Sequence, residues 1–122
     1  MNLNTVAIKA FVPAKDFELS KRFYQALGFE TVSEFGDVAF MRLEQCTFLL
    51  QDFHHPEHSS NFMMHLLVED AASWHQKLTV LLDTPEFDLC QLTPLQQQPW
   101  GMLECCLHDP SGVLWRIAEN RR

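Results

Sequence analysis

The sequence predicts an α+β domain made of two βαβββ modules in tandem, whose strands form a mixed curved sheet around a cup, with the helices on the outside. Apolar residues recur at helical spacing twice, near residues 17–27 and 71–81, and strand-like stretches precede and follow each helix. A polar stretch, residues 54–61, separates the two series. The order of elements therefore repeats once, which divides the single domain of 122 residues into module one, about 1–53, and module two, about 62–119.

Module one begins with a predicted strand at residues 5–12, where small and β-branched residues alternate before a proline. Asp16 then caps a helix over residues 17–27, and Gly28 ends it. Three strands follow, at residues 29–35, 38–43 and 47–51. The helix should bury four residues at helical spacing: Ser20, Phe23, Tyr24 and Leu27.

Module two repeats this order, with a strand at residues 62–68 and Asp70 as the next helix cap. Its helix should bury Ala71, Trp74, Leu78 and Leu81. Strands are predicted at residues 87–92, 102–108 and 113–118. In three strands, at residues 5–12, 62–68 and 113–118, every second residue should face the helices. These residues should form the core: Ile8, Ala10, Val12, Met64, Leu66, Val68, Trp115 and Ile117.

Composition excludes several classes of function. The chain is 47% hydrophobic and 20% charged, with a net charge of −7, whereas a nucleic-acid-binding protein needs a basic surface. No apolar run is long enough to span a membrane, and the first residues lack the pattern of a signal peptide, so a cytoplasmic location is the default expectation. The four cysteines form no CxxC pair and are expected to be buried free thiols.

The stretch QDFHHPEHSSNFMMH, residues 51–65, holds four of the six histidines beside an aspartate and a glutamate. Imidazole and carboxylate are ligands of zinc, nickel and non-haem iron. However, Pro56 prevents helical pairing of His54, His55 and His58, and no strand alternation orders these side chains. A solvated connector is therefore favoured over a structured metal site.

Three motifs carry a resemblance to a known family. They are VPAKDFELSKRFYQALGFE at residues 12–30, QPWG at residues 98–101 and DPSGVLW at residues 109–115. In this order they resemble the vicinal-oxygen-chelate superfamily of glyoxalases, bleomycin resistance proteins and dioxygenases, and especially its bleomycin-resistance-like branch. The motifs make turns and helix ends, so they specify the fold and leave the function open.

The resemblance also implies where a metal would bind. Metal-dependent members offer one ligand from each of four strands, and the matching positions here are Lys9, Met63, Arg116 and either Leu49 or Gln51. Protonated lysine and arginine have no free lone pair, so no metal cofactor is expected. The alternative is a metal-dependent lyase, isomerase or dioxygenase that holds one zinc, nickel or iron ion with His65, which shares a strand face with Met63, and the loop histidines.

The function expected from the resemblance is sequestration of a small molecule in the cup, near the interface of a homodimer, with no membrane or nucleic-acid partner. No catalytic residue is assigned. Lys9 and Arg116 favour an anionic ligand, whereas the net charge favours a cationic one, unless Glu104 or Glu18 pairs with Arg116. A third possibility is an interaction module whose cup is filled by its own side chains. The residues expected to bind the ligand are Lys9, Phe11, Gln51, Met63, His65, Trp100 and Arg116.

Overall fold

The computed structural model describes residues 1–121, and its mixed architecture confirms the α+β class. Module one contains β1 (Phe11–Ala14), α1 (Phe17–Leu27), β2 (Glu30–Phe35), β3 (Val38–Leu43) and β4 (Cys46–Asp52). A connecting helix α2 (Pro56–Asn61) follows. Module two contains β5 (Met63–Leu67), α3 (Ala71–Leu82), a 3-10 helix (Pro85–Phe87), β6 (Gln91–Leu92), β7 (Gln96–Gln97), β8 (Met102–His108) and β9 (Leu114–Asn120).

The strands of residues 1–121 form two sheets with related topologies. The first has the order β1-β4-β3-β2, and the second has the order β5-β9-β8-β6, with β7 paired to β8. In each sheet the first strand of the module runs parallel to the last, and the other pairs are antiparallel. The repeated topology agrees with a tandem duplication. The chain thus has two mixed sheets, where the sequence predicted a mixed curved sheet.

The first helix forms where the sequence predicts it. The Asp16 side chain accepts a hydrogen bond from the Leu19 amide at 3.1 Å, which satisfies a free amide of the first turn. Gly28 ends the helix with a φ of 117°, a left-handed conformation that favours glycine. The four residues predicted to be buried are all buried: Ser20, Phe23, Tyr24 and Leu27.

The strand predicted at residues 87–92 is mostly wrong. Pro85 starts a 3-10 helix there, because its fixed φ suits a first helical position, and only Gln91–Leu92 forms a strand. Phe87 is buried because its ring packs edge-on against Phe23, with 5.2 Å between centroids. Local propensity favoured a strand at residues 87–92, whereas in the structure Phe87 ends a 3-10 helix and contacts Phe23 of module one.

The histidine-rich connector is more ordered than predicted. Pro56 does not prevent a helix; it occupies the first turn of α2, where its missing amide proton costs nothing. The ring of His58 lies between those of Phe53 and Phe62, at centroid distances of 6.1 Å and 5.4 Å. The connector therefore carries a small cluster of aromatic rings, of which Phe53 and His58 are exposed.

The first ten residues also differ from the prediction. Pairing of β1 with β4 ends where the Leu49 amide donates to the Ala10 carbonyl, so the strand does not extend back to residue 5. Ile8, predicted to lie in the core, is 95% exposed, whereas Val12 is fully buried as expected. We call residues 1–10 the arm.

A buried network joins the two modules at their helix-facing sides. The Tyr24 hydroxyl of α1 donates to Asp109 in the turn before β9 and accepts from Trp115 Nε1 at 2.8 Å. The other oxygen of Asp109 accepts from the Ser111 and Val113 amides at 2.8 Å and 2.9 Å. All these polar groups are satisfied inside the core, which makes the network a specific link between the modules.

The network should make stability depend on pH through Asp109. Burial raises the pKa of this carboxyl above its ordinary value of 3.8, although hydrogen bonds from Tyr24, Val113 and Ser111 oppose the shift. A carboxyl group whose pKa is higher in the folded state than in the unfolded state stabilises the fold when it is protonated. This stabilisation is complete below the pKa of the unfolded state, and it is lost as the pH rises through the pKa of the folded state. We therefore expect the difference in unfolding free energy between the wild type and Asp109→Asn to fall as pH rises from about 4, measured by urea titration at several pH values. A constant difference would contradict this assignment.

Candidate functional site

Five of the seven residues expected to bind a ligand lie in strands, on the faces that point away from the helices, whereas Lys9 precedes β1 and Trp100 lies in the turn before β8. Module one carries Lys9, Phe11 and Gln51, and Phe11 of β1 pairs with Leu49 of β4. Module two carries the other four residues: Met63, His65, Trp100 and Arg116. The parallel pairing of β5 and β9 places His65 beside Arg116. Strand alternation thus puts the residues on the expected faces.

Within one chain these two groups remain open to solvent. Phe11 is 49% exposed, Met63 is 54% exposed and Trp100 is 56% exposed. Leu67, which shares the face of Met63, is similarly exposed, so these side chains do not fill a closed cup within one chain. Of the seven residues, His65 is the one that lines any of the four cavities described for residues 1–121.

Arg116 organises the face of module two. Its guanidinium forms an ion pair with Glu104, whose side chain is only 2% exposed, and the hydrogen bond between them raises the pKa of Arg116. Of the two partners expected for Arg116, Glu104 is therefore the one found, and Glu18 instead contacts Lys21 at 2.9 Å. The ring of Trp100 lies over Arg116, with its centroid 5.4 Å from Cζ. Arg116 thus holds Trp100 against the sheet.

Three buried polar atoms on this face have no hydrogen-bond partner among the described residues. They are Glu104 Oε2, Arg116 Nε and His108 Nδ1. Buried polar groups are usually satisfied, so unpaired groups on one sheet face mark a position where polar partners are missing. Sequence analysis considered Glu104 as a partner of Arg116 but did not place it in the site.

On module one, Phe40 belongs to the same face, although it was not predicted from the sequence. Its ring lies under the Lys9 ammonium, 5.1 Å from ring centroid to Nζ, and Phe40 pairs with Leu49 across β3 and β4. The period of two along β3 places Phe40 on the same face as Val38, and that alternation was the signal that could have found it. This face therefore presents an aromatic and aliphatic surface bordered by Lys9.

A groove separates the two sheets. We call it the seam groove, and it consists of two adjoining cavities of about 300 Å³ and 530 Å³ that share Cys46, Leu66 and Leu67. Its walls are the first half of β4 with the preceding turn, and β5 with the segment that leads into α3.

The cysteines are free, but they are not all buried. Burial raises the pKa of Cys90 to about 12 and that of Cys105 to about 11, which keeps both thiols protonated at neutral pH. Cys46 is exposed at the edge of the seam groove, contrary to expectation, because it starts β4 directly after a turn.

Comparison with known proteins identifies the family. A family model described as the Glyoxalase/Bleomycin resistance protein/Dioxygenase superfamily matches residues 3–117. The chain belongs to this superfamily. A bleomycin resistance protein of Klebsiella pneumoniae is 29% identical over 113 residues, which cover 89% of this chain and 88% of that protein. The resemblance predicted from the three motifs is confirmed.

Solved structures of the superfamily show the same fold. A bleomycin-binding protein complexed with bleomycin matches with a TM-score of 0.79 at 21% identity, covering 96% of this chain and 100% of that chain. A bleomycin-binding protein from Streptomyces verticillus complexed with copper(II)-bleomycin matches with a TM-score of 0.75 at 22% identity, covering 100% of this chain and 99% of that chain. At these identities the likeness concerns the fold alone.

The residues present do not fit the metal site of the superfamily's metal-dependent members. The matching positions hold Lys9, Met63, Arg116 and either Leu49 or Gln51, and the Arg116 guanidinium beside His65 would repel a divalent cation. No group of three or more histidine, cysteine, aspartate or glutamate side chains suited to a metal ion occurs within residues 1–121. In the same residues no helix is long and apolar enough to cross a bilayer.

Proposed function

We propose that this chain is a metal-free member of the superfamily that binds and sequesters a small molecule. The observation that carries the proposal is the environment of Trp100, whose half-exposed ring lies over Arg116 while Arg116 is paired with the buried Glu104. Arg116 and Glu104 order the ring before any ligand arrives, which lowers the entropic cost of binding. A large, fixed aromatic surface of this kind suits stacking against a planar group.

The ligand site is completed by a second copy of the chain. In one chain the ligand-facing residues of both modules are about half exposed, whereas binding sites for small molecules usually enclose most of the ligand. A homodimer in which module one of one copy covers module two of the other would bury Phe11, Met63 and Trp100 together. Two-fold symmetry would then produce two equivalent sites.

The charge of the site favours a ligand with a cationic part. Glu104 neutralises Arg116, so the guanidinium no longer opposes the net charge of −7 carried by the whole chain. The relative in Klebsiella pneumoniae is named a bleomycin resistance protein, and bleomycin is therefore the first ligand to test.

The test is calorimetric titration of bleomycin into protein dialysed against EDTA. We expect binding without added metal, and we expect Trp100→Ala to weaken it by tenfold or more, since a buried aromatic at an interface contributes about 2 kcal/mol or more. Leu89→Ala is the control, because Leu89 is an apolar side chain that is 69% exposed and lies outside the proposed site. Binding that requires a divalent metal, or that is equally weakened by both substitutions, would contradict the proposal.

A further inference from the structure

We propose that the Glu104–Arg116 pair is a subsite for a neutral carboxamide, so that the ligand of this protein is a planar molecule that carries a primary amide group. This assignment rests on the proposed function, since the subsite adjoins the Trp100 ring on which a planar ligand would stack. Two polar atoms that the pair leaves free define the subsite, and the chemistry of these two atoms selects the group that binds there.

The ion pair uses one nitrogen of Arg116 and one oxygen of Glu104. Arg116 Nη2 donates to Glu104 Oε1, whereas a fully bidentate pair would also join Nε to Oε2. Both Arg116 Nε and Glu104 Oε2 are buried and have no hydrogen-bond partner within residues 1–121. Each is the neighbour of an atom that makes the existing hydrogen bond, so a free donor and a free acceptor lie next to each other at the edge of the pair.

The subsite lies on the ligand-facing side of module two. The pairing of Cys106 with Arg116 and of Glu104 with Ala118 makes Glu104 and Arg116 diagonal neighbours on one face of the sheet. Glu104 is buried and Arg116 is partly exposed, so a ligand would approach from the side of the guanidinium. The half-exposed ring of Trp100 lies over the same guanidinium and offers a planar surface beside the subsite.

The third unpaired buried atom on this face, His108 Nδ1, belongs to a separate position. His108 follows Glu104 by four residues along β8, which places their backbones about 13 Å apart in an extended strand. A ligand group of a few atoms cannot contact both side chains at their roots. The subsite therefore consists of one donor, Arg116 Nε, and one acceptor, Glu104 Oε2.

These two atoms select a neutral group that both donates and accepts. A guanidinium nitrogen can only donate, and a carboxylate oxygen can only accept. An ammonium group would satisfy Glu104 but would lie against the like charge of Arg116, and a carboxylate would satisfy Arg116 but would lie against Glu104. A primary carboxamide presents a nitrogen donor and an oxygen acceptor side by side, whereas a hydroxyl group must serve both atoms with one oxygen. Any cationic part of the ligand would therefore lie outside this subsite.

The first experiment compares three probes that share a phenyl ring: benzamide, benzoate and benzylammonium. Each probe is titrated into ¹⁵N-labelled protein, and its dissociation constant is measured from the NMR signals of Trp100 Nε1–H and Arg116 Nε–H. We expect benzamide to bind about tenfold more tightly than either charged probe, because each charged probe leaves one buried polar atom unpaired. Equal affinities for the three probes, or absence of benzamide binding, would overturn the proposal.

The second experiment uses Glu104→Gln, which should reverse the preference between benzamide and benzoate. The glutamine oxygen would face Arg116 Nη2, so its nitrogen would replace the acceptor Oε2 by a donor, and two neighbouring donors match a carboxylate. Benzoate should then bind about fivefold more tightly than benzamide. A folded Glu104→Gln variant that keeps the wild-type order of affinities would overturn the proposal.

Glu30→Gln is the matched control for this variant, because Glu30 forms an exposed ion pair with Arg42 on module one. It should keep the wild-type order of the three probes. Circular dichroism verifies that both variants fold, and the order measured for the wild type decides the question if Glu104→Gln does not fold.

The subsite and the proposed function can fail separately. Bleomycin binding that depends on Trp100, together with equal affinities for the three probes, would overturn the amide subsite alone. A clear preference for benzamide without bleomycin binding would instead support the subsite and exclude bleomycin as the ligand.

Discussion

Replacing Asp109 by alanine is expected to lower the free energy of unfolding by about 3–5 kcal/mol, since each buried donor left without a partner costs roughly 1–3 kcal/mol. The substitution removes the acceptor for the Tyr24 hydroxyl and for the Ser111 and Val113 amides, and Asp109 itself is 1% exposed. It also breaks the link between α1 and the turn before β9. Urea denaturation followed by circular dichroism measures the loss.

Asp88→Ala is the control for this experiment, because Asp88 is exposed at the end of the 3-10 helix. Surface substitutions of this kind usually change stability by less than about 0.5 kcal/mol. If Asp109→Ala were as mild as Asp88→Ala, the network would not hold the modules together.

Replacing Arg116 by alanine is expected to cost about 2–4 kcal/mol, because it leaves the carboxylate of Glu104 buried without a counter-charge. The carboxylate side chain is 2% exposed, whereas the arginine is 30% exposed, so the glutamate has little access to water once its partner is gone. Urea denaturation again measures the effect. Trp100 should also lose its fixed position, which predicts a red-shifted tryptophan emission.

The double variant Glu104→Leu with Arg116→Leu tests the cause of this loss. Removing both charges abolishes the desolvation penalty, so the double variant should be more stable than Arg116→Ala. Arg42→Ala is the control, since Arg42 and Glu30 form an exposed ion pair at 3.4 Å, which is expected to contribute little. Equal costs for Arg116→Ala and Arg42→Ala would show that burial of Glu104 is unimportant.

Much of the site was predictable from strand alternation. The period of two placed Phe11, Met63 and Arg116 on the faces away from the helices, because successive side chains of a strand point to opposite sides. The identity of the Arg116 partner was not predictable. Glu104 and Glu18 were both candidates, and only the antiparallel register of β8 and β9 places Glu104 within reach of the guanidinium.

The errors fall where a distant part of the chain decides the local structure. Phe87 lies in a 3-10 helix because its ring packs on Phe23 of module one, a contact that no local pattern contains. Pro56 was interpreted as preventing helical pairing of the connector histidines, and His54 and His55 indeed precede α2, but the helix that Pro56 begins was not predicted. The segment at residues 5–10 has a strand-like pattern, but it does not continue the pairing of β1 with β4, which begins at Phe11.

By itself the sequence determined the repeated order of elements, the bounds of α1 and the superfamily, because helix periodicity, capping residues and turn motifs act over a few neighbouring residues. Through the resemblance it also predicted that the positions of the superfamily's metal ligands hold lysine, methionine and arginine. Only the tertiary structure decided that Arg116 is neutralised by Glu104, that the arm leaves its sheet and that a groove separates the two sheets. These features depend on strand register and on burial, which arise when residues far apart in the chain are brought together.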